Sequence, residues 1–280
     1  MRGHGDGQPD SAGSTGDGDD FVGEGPWLHA LTVRPREHGR GLDSGYLGTL
    51  LPMKPMEPTE TVEYAPGRLA DIYGDWSQPA VLLWHGMQTD ARAAVGPLAG
   101  LLAERGAVVV APDWNSHADD GGRGDLLASV DFVRKRATGA IVLVGWSLGG
   151  AAAAGLTIDA ANHDVAIAHT VCLAGAFMAP DPISGRSPAD MLSSAQIGSP
   201  FTLLHGLSDD AVPSTASREF AASLEQAGWQ VDLVELAADH GSIAGAEYDP
   251  VADRYEPGRG DEARRMATEV ADRIGATLRR

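Results

Sequence analysis

The sequence predicts an α/β fold built on a mostly parallel sheet with helices on both faces. Three observations carry that expectation. Short apolar runs alternate with amphipathic helical stretches from residue 80 onward. The run at 141–144 is unbroken by polar residues, as a strand buried on two faces requires. The stretch AIVLVGWSLGGAAAAG at 140–155 reads as a strand turning sharply into a helix.

Taken in order, residues 1–26 are mostly Gly, Asp and Ser, with almost nothing to bury, and are expected to form a disordered tail. Residues 27–59 form an extension whose structure the sequence leaves open: WLHALTV at 27–33 suits a strand or a helical turn, and Pro52, Pro55 and Pro58 break any regular element toward its end. The main domain is expected over 60–280. It begins with two strand-like pieces, 61–64 and 69–73, around the turn residues Pro66 and Gly67. Then come a strand at 80–84, a helix at 91–105, a strand at 107–111, a helix at about 124–136, and the strand at 141–144 with a helix starting at Leu148. Strands at 167–173, 201–205 and 230–236 come next, with a helix at 214–226 and a last helix from a capping Asp261 to near Leu278. The only obvious cap is 178–199, short and broken by Pro180, Pro182, Gly185 and Pro188.

At 280 residues the chain suffices for one large domain or two small ones. A net charge of −18, with no basic patch, argues against nucleic acid or an anionic membrane as partner. No run of about 18 apolar residues suggests a membrane span, and the first residues hold no apolar signal core, so a soluble cytoplasmic protein is expected. The single cysteine, Cys172, sits in an apolar run and reads as a buried small hydrophobe. There is no HExxH, paired CxxC or Gly-rich phosphate loop, so neither a metal nor a cofactor is implied.

In an open parallel sheet, reactive groups collect at the carboxyl ends of the strands. Ser147 stands at such an end, between Gly145 and Gly149, where a strained bend would expose its hydroxyl and the following helix would offer the Leu148 N–H to an oxyanion. A GxSxG pentapeptide is weak alone, so its context matters. His85-Gly86 ends the 80–84 strand and is placed to present the Met87 N–H as a second donor. The strand at 201–205 runs into GLSDDAVP, which puts Asp209 and Asp210 just past its end, and His240 is the only histidine after residue 205. The order Ser, Asp, His, each at a strand end, matches a triad in which the acid orients the base and the base deprotonates the serine. Asp239 adjoins His240 and is a poor orienting acid, and Asp113 reads as a structural turn. Trp84, Trp114 and Trp146 suit either an aromatic pocket wall or the core.

Through GWSLGG, HGM, HGLSDDAVP and the late His240, the chain resembles the α/β-hydrolase family over roughly residues 60–280. The lead-in EYAPGRLADIYG is similar to the strand pair before the HGG motif in small carboxylesterases and kynurenine-formamidase-like enzymes, which tend to carry a glycine and an aromatic where this chain has Met87 and Gln88. The resemblance implies the α/β-hydrolase fold and favours Asp209 over Asp210, since Asp209 occupies the acid position of HGxxDxxVP. The expected activity is a serine hydrolase acting on small soluble carboxylic esters or amides, with Ser147, Asp209 and His240 as the triad and Met87 and Leu148 as oxyanion donors. An acyltransferase or arylformamidase on the same machinery, or a non-catalytic hydrolase-like binding protein, are the alternatives.

Overall fold

The computed structural model describes residues 57–278, so the tail at 1–26 and all but the last residues of the extension at 27–59 lie outside the described part. An eight-stranded sheet forms its centre, in the order β1-β2-β4-β3-β5-β6-β7-β8. The strands are β1 (Glu60–Ala65), β2 (Arg68–Tyr73), β3 (Ala80–Trp84), β4 (Val108–Pro112), β5 (Ile141–Trp146), β6 (Ile167–Leu173), β7 (Phe201–Gly206) and β8 (Val231–Leu236). β1 pairs antiparallel with β2, and β2 antiparallel with β4; from there to β8 every pairing is parallel.

Strands β3, β4 and β5 are apolar throughout because both faces are covered. In β3, Val81 and Leu83 enter one core cluster, while Leu82 and Trp84 enter the other. Helices α1 (Gly96–Glu104) and α6 (Asp261–Thr277) pack together over the first face. Helices α2 (Arg123–Arg134), α3 (Leu148–Ile158) and α5 (Thr215–Gln226) cover the second. The 91–105 helix divides into a 3₁₀ turn, Arg92–Val95, and α1, which starts at Gly96-Pro97, where proline is tolerated in a first turn. Gly260, not Asp261, occupies the cap position of α6; Asp261 is its first residue, where a carboxylate still favours the helix N-terminus.

The 178–199 segment carries one short helix, α4 (Pro188–Met191), and packs beside the sheet, with Met191 and Leu192 in an aromatic cluster around Phe201, Phe220 and Trp229. It lies alongside α3 and α5. The outer feature near the strand ends is instead a hairpin that the sequence pattern does not announce, β9 (Ala246–Asp249) and β10 (Arg254–Pro257), in which Tyr248 pairs with Tyr255. Among the described residues no helix is long and apolar enough to cross a membrane.

Candidate active site

The chain runs from β3 to β4 on one side and then crosses back to place β5 on β3's other side. That reversal opens a crevice beyond the carboxyl ends of β3 and β5, the usual ligand site of an open α/β sheet. A cavity of about 110 Å³ lies there, lined by Gly86, Met87, Trp146, Ser147, His240 and the hairpin residue Tyr255, among others.

Ser147 links β5 to α3 with φ 57° and ψ −121°, a conformation that costs a non-glycine residue free energy of order 1–3 kcal/mol. The surroundings enforce it. Ser147 N–H donates to Leu173 O at 2.9 Å, while its own carbonyl accepts from Gly150, Ala151 and Ala176. The flanking glycines permit the close approach: a Cβ on Gly145 would meet Gly149 O at 2.1 Å, and one on Gly149 would meet His85 O at 2.3 Å. Leu148 is the first residue of α3, and its N–H belongs to the helix-end donors that have no carbonyl within the helix.

On the β3 side, His85 is fully buried and holds the loop that carries Met87. Its Nε2 accepts from Ala91 N–H at 3.3 Å and Trp114 N–H at 3.2 Å, so Nδ1 carries the proton and donates to Gly86 O at 2.8 Å. Burial pushes this imidazole down to about 3, which keeps it neutral. Gln88 N–H also donates to Gly86 O, at 2.8 Å, closing a tight turn with Met87 at its centre.

His240 and Asp209 meet: His240 Nδ1 lies 2.8 Å from Asp209 Oδ2. With the Nδ1 proton engaged by the carboxylate, the lone pair of the other ring nitrogen is left for the cavity. The second carboxylate oxygen accepts from Ala211 N–H at 2.9 Å and Val212 N–H at 2.8 Å. Burial would raise the Asp209 carboxyl, but hydrogen bonds from His205 and His240, the His240 charge and the Val212 N–H outweigh it and hold the group well below the usual carboxylate range. Asp210 is exposed and Asp239 accepts from Ser242 N–H at 2.7 Å, so neither faces the imidazole as Asp209 does.

Sequence reasoning alone misses His205. It is fully buried in β7, with Nε2 donating to Val212 O at 3.0 Å and Nδ1 accepting from the Ser217 hydroxyl at 2.7 Å. It thereby ties β7 to the far end of the turn that carries Asp209 and to helix α5. Its place inside an apolar strand, four residues before the acid, is the available signal.

The three tryptophans differ in role. Trp146 lines the cavity and donates its indole N–H to His240 O at 2.8 Å, fixing the backbone of that loop. Trp84 bonds to Ser129 in the core, and Trp114 stacks on His85 with ring centroids 5.3 Å apart. Asp113 pairs with Arg92 as part of a structural turn. Cys172 is buried, which pushes its thiol up. Among the described residues no group of three or more His, Cys, Asp or Glu is arranged to hold a metal.

A reversal in strand order, a strained serine between strand and helix, and a histidine held by an acid define the hydrolase class of open α/β sheets. The model of the alpha/beta hydrolase family matches residues 81–279, and the chain belongs to that family. No curated protein sequence matches it significantly. Among solved structures it is similar to a thermophilic esterase from the planctomycete Thermogutta terrifontis. The propionate-bound form gives a TM-score of 0.58 at 21% identity, over 78% of this chain and 94% of that one. The apo form gives 0.61 at 20% identity, over 82% and 97%. The form phosphoramylated by tabun gives 0.60 at 20% identity, over the same shares.

Proposed function

We propose that the protein hydrolyses small carboxylic esters through an acyl-enzyme on Ser147. The observation that carries the reading is the strained Ser147 backbone at the β5–α3 turn, in one cavity with a histidine that is hydrogen-bonded to a buried carboxylate. In this scheme His240 takes the Ser147 hydroxyl proton as Oγ attacks the ester carbonyl carbon, and Asp209 stabilises the resulting imidazolium. The Met87 and Leu148 N–H groups receive the developing oxyanion. Collapse of the tetrahedral intermediate breaks the ester C–O bond, and His240 returns the proton to the leaving alcohol. Water activated by His240 then releases the acid and restores the serine.

The size of the cavity supports short acyl groups, as does the propionate bound by the similar esterase. The partner is accordingly a soluble small molecule. The test is turnover of p-nitrophenyl esters of graded chain length. Acetyl to hexanoyl esters should be cleaved, long-chain ones poorly, with no jump in rate above the micellar concentration. Ser147→Ala should lose roughly 10⁴-fold or more in kcat with the fold intact. A folded Ser147→Ala variant that retained wild-type turnover would remove Ser147 from the mechanism.

A further inference from the structure

The hairpin β9–β10 is joined to the oxyanion loop by one side chain. Gln88 Nε2 donates to Tyr255 O at 3.2 Å, and Gln88 Oε1 accepts from Tyr255 N–H at 2.6 Å. Both polar groups of one residue on β10 are thus satisfied by a single amide, which stands in for a neighbouring strand at the hairpin's open edge. The residues on either side of this contact belong to the cavity. Gln88 directly follows Met87, and its own N–H closes the turn onto Gly86 O. The Tyr255 ring meets Trp146 edge-on, with centroids 5.0 Å apart, and lies 5.7 Å from the His240 ring. The amide therefore spans from the loop that presents Met87 to the aromatic cover over His240.

We infer that Gln88 is a positioning residue: its paired hydrogen bonds to the Tyr255 backbone hold the Met87 N–H aimed at the oxyanion and the hairpin closed over His240. The inference rests on the esterase reading proposed for this site. Chemistry at this position selects a primary amide. A glutamate keeps the acceptor for Tyr255 N–H but sets a carboxylate against Tyr255 O, and a methionine of similar length offers neither bond. An amide that acts only on the transition state through Met87 changes kcat, whereas one that merely shapes the binding wall changes KM.

The test compares wild type, Gln88→Met and Gln88→Glu on p-nitrophenyl acetate, with thermal unfolding of each and the rate of phosphonylation of Ser147 by a fluorophosphonate. Gln88→Met should lose roughly tenfold to a hundredfold in kcat, less than removal of a whole oxyanion donor, with KM changed by less than about threefold. Its phosphonylation should slow in parallel, because that reaction also places a charged oxygen between the donors. Gln88→Glu should fall between the two. A folded Gln88→Met with kcat within about twofold of wild type, or with a raised KM alone, would overturn the inference while leaving the esterase reading in place. Should Gln88→Met fail to fold, Gln88→Glu decides, and wild-type kcat in it would likewise overturn the inference. Failure of the wild-type protein both to label at Ser147 and to cleave the ester would overturn both.

Discussion

The inner wall of the cavity, at the ends of β3 and β5, is buried and bonded through its backbone, whereas the outer wall, the β9–β10 hairpin, is half-exposed and held by side chains. On the inner side Ser147 is only 4% exposed, and the glycines around it leave no room for a single added carbon. On the outer side Tyr248, Arg254 and Tyr255 lie on strands of four residues each, joined by a turn whose Val251 is 94% exposed. Precision and adaptability are thus divided between the two walls. In the proposed mechanism, the groups that move protons and stabilise charge stand on sheet ends that cannot shift without disturbing the core. In the same mechanism, the groups that would meet the substrate's periphery stand on an element that can be altered at small cost.

The sharpest break in that comparison is at Asp209. Asp209→Asn keeps the shape but can favour the wrong histidine tautomer, a change that costs about 10⁴ in kcat in the well-studied serine proteases, so a loss of roughly 10³- to 10⁴-fold is expected. Asp210→Asn, on the exposed neighbour, should cost less than about tenfold. Steady-state kcat for the two variants settles the assignment, and a crippled Asp210→Asn with a healthy Asp209→Asn would reverse it.

A smaller effect comes from overfilling the inner wall. Gly149→Ala pushes a methyl against the His85 carbonyl, so urea unfolding should show a loss of about 1–3 kcal/mol, and kcat should fall by at least about tenfold as the two loops part. Unchanged values would mean that the inner wall is looser than its contacts indicate. The outer wall should respond more mildly. Tyr255→Leu removes the ring contacts with Trp146 and His240, each worth about 1 kcal/mol, and should lower kcat/KM by roughly tenfold and the melting temperature by a few degrees. A loss as large as that of Asp209→Asn would make the tyrosine part of the reacting unit.

Legibility in the sequence divides along the same line. The inner strands can be read because strands buried on two faces are mostly apolar, and Ser147, Asp209 and His240 can be placed because each lies just past the end of a strand. The hairpin cannot. Its strands AEYD and RYEP are short and polar, with Pro250 in the turn between them, and only the aromatic pair Tyr248 and Tyr255 flanking an Asp-Pro turn hints at it. The covering role expected of 178–199 fails for a related reason: its apolar residues Met191 and Leu192 are claimed by the cluster around Phe220, a long-range contact that no local pattern encodes. Gln88 looks like a departure from a motif, because its partner is 167 residues away.

A separate effect, read in the pH dependence of stability, concerns the buried imidazole beneath the inner wall. His85 titrates near 6.5 when unfolded and is pushed down to about 3 in the folded protein. Above about pH 6.5 both states are neutral; below it the unfolded chain binds a proton that the folded one does not, so stability falls as pH drops from about 6.5 toward 3. The His85 contribution is on the order of 1.4 kcal/mol per pH unit across that window. Denaturant midpoints measured from pH 7 to pH 4 should fall less steeply for His85→Gln than for wild type; equal slopes would mean that His85 does not stay neutral in the fold.

The central claim is that the strained serine at the β5–α3 turn is the covalent nucleophile. Mass spectrometric mapping after treatment with a fluorophosphonate tests it most directly. One adduct per chain, on Ser147, appearing in step with loss of ester hydrolysis, is the predicted result. An adduct on another residue, with hydrolysis surviving in Ser147→Ala, would contradict it.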